Sequence, residues 1–212
     1  IGVTGPVACG KSTFGRVFLC EMPYGGSVRF GGKELSSFSP REISGMVGYL
    51  GHDPELSMDT IQNNVLCGSS QDVLPQLNAV ALTDEVRAME NGADTVVGSS
   101  GIRLSGGQAQ RLALARTLAH PRPLMILDDP FSALDKKTEA EIFSNIRQLA
   151  GDAIILLISH RLYLFPQMDQ VVWMEGGRAI AAPHETLIKE VPEYAALFEG
   201  CYTQEGGAEH EA

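Results

Sequence analysis

The sequence lacks an excess of basic residues, a long apolar run and paired cysteines. It has 16 Lys and Arg residues against 26 Asp and Glu residues, a formal net charge of −10, which argues against a nucleic-acid-binding surface. The longest apolar run, Ala153–Ile158, is far shorter than the roughly 18–20 residues that span a bilayer. Any membrane-spanning part must therefore lie outside these residues. The four cysteines form no CxxC pair and lie near no histidine at metal-ligand spacing, which indicates reduced thiols and argues against a zinc site or a disulfide framework.

Short apolar runs alternate with helical patterns along the 212 residues, which predicts one α/β domain with a mostly parallel sheet. Ser27–Phe30, followed by Gly31 and Gly32, predicts a hairpin in a smaller antiparallel section. The strand pattern disappears between about residues 61 and 119, so we expect this segment to be a helical subdomain. The candidate strands of the main sheet are Ile1–Thr4, Met46–Leu50, Leu124–Leu127, Ala153–Ser159 and Gln170–Glu175.

A glycine-containing loop follows the first candidate strand and matches the pattern G-x-x-x-x-G-K-[ST]. Glycines let backbone N–H groups turn inward around phosphates, and the helix predicted to start near Lys11 adds its positive end. Lys11 would reach the β- and γ-phosphates, the Ser12 hydroxyl would ligate Mg²⁺, and Thr13 adds a further hydroxyl. Cys9 is a small residue in this loop, and its alkylation should block nucleotide binding. The loop consists of Gly5, Pro6, Val7, Ala8, Cys9, Gly10, Lys11 and Ser12.

Asp128 follows the four apolar residues Leu124–Leu127. A carboxylate at the end of a buried strand that faces a phosphate loop predicts a Mg²⁺ site. The contact would pass through water, because Mg²⁺ keeps much of its hydration shell. The alternative is an aspartate that only caps the strand, and the phosphate loop upstream favours the metal role.

The pentapeptide Leu104-Ser105-Gly106-Gly107-Gln108 resembles the signature motif of ATP-binding cassette (ABC) ATPases. Ser132-Ala133-Leu134-Asp135 resembles the D-loop of that family, and Ile158-Ser159-His160-Arg161 resembles its switch-histidine segment. These motifs follow the phosphate loop in the family's order, and the resemblance extends from Gly5 to about Phe198.

The resemblance implies a P-loop NTPase (RecA-like) core with a parallel sheet, a small antiparallel β section and an inserted helical subdomain at about residues 61–119. The ABC ATPase domain is expected to occupy residues 1–203 and to lack its N-terminal strands, one of which carries the adenine-stacking aromatic residue in the family. The sequence is therefore expected to be a fragment of a longer polypeptide. Residues 204–212 are polar and acidic, and we predict a disordered tail.

The resemblance also implies ATP and Mg²⁺ as ligands and a second cassette as partner. Ser105 suits the N-cap of a helix that runs from about Gly107 to Ala119, and a helix start offers N–H groups to an anion. In the family this helix start meets the γ-phosphate that the opposite subunit holds, so that two cassettes enclose two ATP molecules. The nucleotide-binding residues implied in this way are Ser105, Gly106, Gly107, Gln108 and Asp135, and His160 would contact the γ-phosphate of its own chain.

Two expected catalytic positions depart from the usual family residues. Asp129 stands where the family normally has the glutamate that polarises the attacking water, and its carboxylate is one methylene closer to the backbone. General-base catalysis contributes about 10²- to 10⁴-fold and depends on geometry. His52 stands where the family normally has a glutamine, and an imidazole can bind a metal when neutral but adds positive charge when protonated. Each change alone could be neutral drift, but together they favour a weakly hydrolytic site.

A chain with both Asp129 and His52 at these positions resembles the degenerate-site subunit of a heterodimeric multidrug or lipid-type exporter, or one half of a fused transporter. Three segments also resemble exporter cassettes: Thr60–Val65, Asn91–Gly98, and Pro183–Leu187 with Tyr194. The exporter pattern usually has acidic residues before the signature, where this chain has Val96, Ser99 and Ser100. The implied partners are a second cassette and a transmembrane domain, the implied location is the cytoplasmic face of the cell membrane, and no nucleic acid is implied. Two alternatives stay open: a soluble ABC ATPase without a transport role, and a regulatory module that binds ATP with little turnover.

Overall fold

The computed structural model describes residues 1–98, 101–132 and 134–203. The strands in this part of the chain are β1 Gly2–Thr4, β2 Arg29–Phe30, β3 Lys33–Glu34, β4 Val47–Leu50, β5 Leu124–Asp128, β6 Ile154–Ile158, β7 Val171–Glu175 and β8 Arg178–Ala182. The α-helices are α1 Lys11–Val17, α2 Pro40–Met46, α3 Ile61–Leu66, α4 Leu74–Ala79, α5 Thr83–Arg87, α6 Gly106–Ala119, α7 Lys136–Leu149, α8 His184–Glu190 and α9 Pro192–Thr203. The expected disordered tail, residues 204–212, lies outside the described residues, as do Ser99, Ser100 and Ala133 of the motifs above.

The chain divides into two compact units, one formed by Ile1–Ser44 with the chain from Leu156 onward and the other by Gly45–Ile155. In the first unit β1 pairs in parallel with both β6 and β7, and β7 pairs antiparallel with β8. β2 and β3 form the predicted small hairpin, with Gly31 and Gly32 at positive φ. This unit carries the phosphate loop directly after β1.

The first unit has its own apolar core beside β7. Trp173 of β7 packs against the fully buried Tyr194 of α9, with ring centroids 5.7 Å apart in an edge-on arrangement. Such aromatic pairs add to the stabilisation that comes from the buried area. The buried members of this core are Leu162, Phe165, Val171, Trp173, Leu187, Val191 and Tyr194.

In the second unit β4 and β5 pair in parallel, and all five residues of β5 are buried. The 14-residue helix α6 contacts β4 and buries Leu112, Leu114 and Ala115. The described part of residues 61–119 contains the helices α3 to α6 and no strand, as predicted, and its extended pairs are the isolated bridges Thr60–Val96 and Val97–Ile102. That this segment is a subdomain of its own stays a prediction.

The predicted fold class is confirmed: the chain is mixed α/β, with mostly parallel strands, a small antiparallel hairpin and helices. All five candidate strands of the main sheet are present, and no strand end differs from its predicted position by more than one residue. The sequence analysis missed β8, whose residues are mostly exposed. Among the described residues, no helix has both the length and the apolar character needed to cross a membrane.

Candidate nucleotide site

The phosphate loop, residues 5–12, has a tightly turned backbone. Gly5, Ala8 and Gly10 all have positive φ, a region that L-residues with a Cβ rarely adopt. A Cβ on Gly5 would lie 2.0 Å from the carbonyl oxygen of Met174, so this position accepts only glycine. The strand, loop and helix order expected for a phosphate loop is present, with β1 before it and α1 after it.

Lys11 folds over the loop that precedes it. Its Nζ donates hydrogen bonds to the carbonyl oxygens of Gly5 and Pro6, both at 2.9 Å, and lies 3.8 Å from the Sγ of Cys9. The ammonium group is therefore positioned at the loop itself, where phosphate oxygens would be bound. The hydroxyl-bearing residues Ser12 and Thr13 follow in the first turn of α1, and both are exposed.

His160 lies at the same sheet edge as the phosphate loop. β6 and β1 are parallel, and Ile158 pairs with Val3. Gly5 and His160 each lie two residues beyond this pair, so both follow the carboxyl ends of neighbouring strands, where ligands of parallel α/β sheets bind. His160 is exposed, and its carbonyl oxygen lies 3.6 Å from the Sγ of Cys201. The first unit thus brings together two of the motifs identified in the sequence.

Asp128 is buried at the end of β5, with 4% of its surface exposed. The Tyr49 hydroxyl donates a hydrogen bond to its Oδ2 at 3.1 Å. A buried carboxylate needs such a partner, because desolvation of an unpaired charge is costly. Tyr49 was not predicted, and only its place in the neighbouring strand β4 could have indicated it.

His52 and Asp129 come together in the second unit. Leu50 of β4 pairs with Leu127 of β5, and each of the two residues lies two positions beyond that pair. Their side chains approach to 3.8 Å between His52 Nδ1 and Asp129 Oδ2, with 57% of the His52 side chain and 15% of the Asp129 side chain exposed. Asp129 has a φ of 51°, which is left-handed backbone.

Ser105 is the N-cap of α6, as predicted, and the helix begins at Gly106. Its Oγ accepts a hydrogen bond from the Gln108 backbone N–H at 3.2 Å, and the Gln108 Oε1 accepts one from the Ser105 N–H at 2.9 Å. This reciprocal pair is a capping box, which satisfies two backbone donors at the helix start. Ser105 and Gly106 are exposed, so the start of this 14-residue helix faces solvent.

Asp135 caps the following helix. It is the N-cap of α7, and its carboxylate accepts hydrogen bonds from the Thr138 backbone N–H at 3.0 Å and the Thr138 hydroxyl at 2.6 Å. These bonds lower the pKa of Asp135 below its ordinary value, the side-chain bond from Thr138 contributing most. The carboxylate is therefore held by its own helix, and a nucleotide contact of Asp135 stays a prediction.

The donor chemistry of these residues suits Mg²⁺ bound together with a nucleotide. The described residues contain no cluster of three or more His, Cys, Asp or Glu side chains that could hold a metal ion alone. Mg²⁺ characteristically uses one or two protein oxygens, water and substrate phosphates. The Ser12 hydroxyl in the first unit and the Asp128 carboxylate in the second each offer an oxygen of that kind, and a Mg²⁺ contact of either residue stays a prediction.

The sequence analysis missed three side-chain hydrogen bonds, two made by Gln110 and one made by Glu85. The buried Gln110 donates from Nε2 to the Asp129 carbonyl oxygen at 3.0 Å and accepts from the Ser132 hydroxyl at 3.1 Å. Glu85 of α5 accepts from the Gln108 side chain at 2.7 Å. All three bonds join residues that are distant in sequence, so spacing alone gave no signal for them.

Comparison with known proteins identifies the family. The family model described as "ABC transporter" matches residues 1–132, a segment that includes the phosphate loop, both carboxylates and the signature. The chain belongs to the ABC transporter family. The resemblance stated from the motifs is therefore confirmed at the level of the family.

Several ABC transporters are similar to this chain over nearly its whole length. It is 34% identical to the "ATP-dependent lipid A-core flippase" of Burkholderia pseudomallei (strain 1710b), over 98% of this chain and 36% of the flippase. It is 32% identical to the "Probable multidrug resistance ABC transporter ATP-binding/permease protein YheI" of Bacillus subtilis (strain 168), over 98% of this chain and 37% of that protein. The chain thus spans little more than a third of the length of these curated relatives.

A solved structure shares the fold. The "Structure of a bacterial Atm1-family ABC exporter with ATP bound" superimposes with a TM-score of 0.86 and 31% sequence identity. The match covers 93% of this chain and 36% of that exporter chain. The α/β fold derived from the residues is therefore the fold of ABC cassettes.

Proposed function

We propose that this chain is the ATP-binding and ATP-hydrolysing cassette of an ABC exporter. The observation that carries the proposal is the exposed, capped start of α6, from which the Ser105 hydroxyl and the Gly107 backbone N–H would reach an incoming anion. A helix start that faces solvent suits a nucleotide bound by a second cassette. The exposed helix start supports another cassette as a partner. The proposed exporter function adds a transmembrane domain as the other partner and places the chain at the cytoplasmic face of the cell membrane.

The chain's own nucleotide is assigned to the phosphate loop. Lys11 would bind the β- and γ-phosphates of ATP from the position it already occupies at the loop. Ser12 and Asp128 would hold Mg²⁺, which neutralises charge on the phosphates when bound. His160 would contact the γ-phosphate, a role supported by its position two residues beyond the strand beside β1.

We also propose that this chain's own site hydrolyses ATP weakly and that its signature serves a more active site on the partner cassette. Two observations support the weak site. The carboxylate of Asp129 is one methylene shorter than the usual glutamate, and the imidazole of His52 lies beside it at 3.8 Å. A general base must reach the proton that it abstracts, and a shortened carboxylate next to an imidazole is poorly suited to orient water.

Steady-state hydrolysis by the chain with MgATP tests the weak site. We expect ATP to bind, with binding lost in Lys11→Ala, and phosphate release to stay below about 1 s⁻¹, the lower end of ordinary enzyme turnover. Turnover faster than this, abolished by Asp129→Ala, would contradict the proposal.

Single-turnover hydrolysis in the full transporter that carries this chain tests the cassette function. Exporter function predicts that a bulky substitution, Ser105→Arg, slows hydrolysis at the partner's site while ATP still binds to this chain's phosphate loop. The exposed Ser36 on the 3₁₀ turn Leu35–Ser37 provides a control, Ser36→Arg, which should leave hydrolysis unchanged. No hydrolysis at either site in the unmodified transporter would favour the regulatory-module alternative instead.

A further inference from the structure

The Glu85 carboxylate joins α5 to two residues of α6. Its Oε2 accepts a hydrogen bond from Gln108 Nε2 at 2.7 Å, and its Oε1 lies 2.7 Å from Arg111 Nη2. We infer that Glu85 is a positioning residue, which fixes the Gln108 amide in one orientation and thereby preorganises the Ser105 cap at the signature. The role of this cap in catalysis rests on the proposed function. The contacts of Glu85 are independent of that proposal.

The orientation of the Gln108 side chain follows from what its two neighbours can exchange. A carboxylate only accepts hydrogen bonds, whereas a backbone N–H only donates. Gln108 therefore must turn Nε2 towards Glu85 and Oε1 towards the Ser105 N–H, which it does at 2.7 and 2.9 Å. The flipped amide would place two acceptors together at one end and two donors at the other. The negative charge also strengthens the bond from the amide, since charge-assisted hydrogen bonds are the stronger class.

Arg111 supplies a second connection from Glu85 to the helix start. Its Nη1 donates to the Ala81 carbonyl oxygen at 2.7 Å, and its Nε donates to the Gly107 carbonyl oxygen at 3.3 Å. Only 11% of the Arg111 side chain is exposed, against 38% for Glu85. A poorly hydrated cation needs a nearby anion, so Glu85 also stabilises the guanidinium group that contacts Gly107. Both connections end within residues 105–107.

Amide hydrogen exchange in the ¹⁵N-labelled chain tests the inference without any nucleotide. In Glu85→Ala we expect the Ser105 and Gln108 backbone amides to exchange about threefold to tenfold faster, which corresponds to the loss of one ordinary hydrogen bond. The side-chain NH₂ resonances of Gln108 should shift or double, because neither amide orientation is then selected. Glu85→Gln keeps the size of the side chain but can donate as well as accept, so it should show the same changes to a smaller extent.

The neighbouring Asp84 provides a matched control. Its side chain is fully exposed and lies 4.0 Å from Arg87 of the same helix, so Asp84→Ala removes the same charge from α5 without touching α6. It should leave exchange at Ser105 and Gln108 unchanged. Equal exchange in Glu85→Ala and the unmodified chain would overturn the inference, as would an equal acceleration along the whole of α6, which would mean only general destabilisation. Because no ATP is used, failure here leaves the proposed function standing, and failure of the proposed function leaves this result standing.

Discussion

The Nδ1 of His52 lies 3.8 Å from the Oδ2 of Asp129, at the ends of two strands that pair in parallel. The register of β4 on β5 sets Leu50 against Leu127. His52 and Asp129 each lie two residues beyond this pair and are therefore brought together. Asp129 holds left-handed backbone, which costs an L-residue about 1–2 kcal/mol. The hydrogen bond from Gln110 to the Asp129 carbonyl oxygen supports this conformation. The carboxylate is therefore held in place, and the backbone of Asp129 cannot easily move to compensate for a side chain shorter than that of glutamate.

Lengthening this carboxylate should raise hydrolysis. We expect Asp129→Glu to increase single-turnover phosphate release from MgATP by about tenfold to a hundredfold, part of the 10²- to 10⁴-fold that a well-placed general base contributes. Adding His52→Gln should raise the rate further, because the amide replaces an imidazole that competes for the same carboxylate. Quenched-flow measurement of phosphate release reports these rates directly.

Asp129→Asn is the control for that series, because it keeps the size of the side chain and removes the charge. It should hydrolyse no faster than the unmodified chain while binding ATP equally well. If Asp129→Glu left the rate unchanged or lowered it, the aspartate would not be what limits this site.

Modification of Cys9 should prevent nucleotide binding. Cys9 is partly buried within the phosphate loop, and its Sγ lies 3.8 Å from Lys11 Nζ, so an added maleimide would occupy the space where phosphates are expected. We predict that N-ethylmaleimide abolishes ATP binding and that MgATP present beforehand protects against it. Binding can be followed by fluorescence of a labelled nucleotide.

The other thiols provide the comparison for this experiment. Cys20 and Cys67 are exposed, so they should react in every variant, including Cys9→Ala, without loss of binding. Loss of binding in Cys9→Ala after treatment would locate the sensitive thiol elsewhere.

Periodicity and local motifs predicted the elements whose signal lies within a few residues. The buried strands were found from their apolar runs, and the Ser105 cap from a hydroxyl before a helical segment. β8 was missed because Arg178–Ala182 is rich in alanine and mostly exposed, so no apolar alternation marks it. Its signal was the pair Gly176 and Gly177, both at positive φ, which forms the same kind of two-residue turn as Gly31 and Gly32.

The candidate site was predictable only as far as its motifs extend. Lys11, Asp128 and Ser105 stand within recognisable patterns, whereas Tyr49, Gln110 and Glu85 act through partners that are 19 to 79 residues away along the chain. Such contacts depend on the packing of helices and on strand register. Burial of a polar side chain would indicate that it has such a partner. Burial, however, is known only from the fold and not from the sequence.

Asn64 stabilises the segment that follows His52. The side chain is 3% exposed, its Nδ2 donates to the Ser57 and Thr60 carbonyl oxygens at 3.0 Å, and its Oδ1 accepts from Arg116 at 3.2 Å. Asn64→Ala removes these hydrogen bonds together with the one that the Ser57 backbone N–H donates to Oδ1 at 2.9 Å, so we expect the free energy of unfolding to fall by about 1–3 kcal/mol. Urea denaturation followed by circular dichroism measures this change.

The adjacent Asn63 serves as the control. Its side chain is exposed and donates to Asp59 at 2.9 Å, where water can replace the lost bond. Asn63→Ala should therefore cost about 1 kcal/mol or less. Equal losses in the two variants would contradict a special role for Asn64.

His184 should make stability depend on pH. Its Nδ1 lies 2.6 Å from the Tyr194 hydroxyl, and its ring packs against Phe198 with centroids 4.6 Å apart. Burial lowers the pKa of His184 below its ordinary value of about 6.5, and the charge of Glu185 opposes this shift in part. The unfolded chain therefore binds a proton more readily than the folded chain. The free energy of unfolding should be fully retained above about pH 6.5 and should fall as the pH decreases through the lower folded value.

Urea denaturation at pH 7 and pH 5 measures this acid dependence, a further measurement above about pH 10 measures an alkaline one, and two variants assign them. His184→Gln removes the titrating group, so its loss of stability between the two pH values should be smaller than that of the unmodified chain. Tyr194→Phe should keep the acid dependence, since His184 stays beneath Phe198. It should lack the alkaline component, because burial raises the pKa of Tyr194 above its ordinary value of about 10 and stability is then lost as the pH rises beyond that value. An equally steep acid loss in His184→Gln would assign the dependence to other groups.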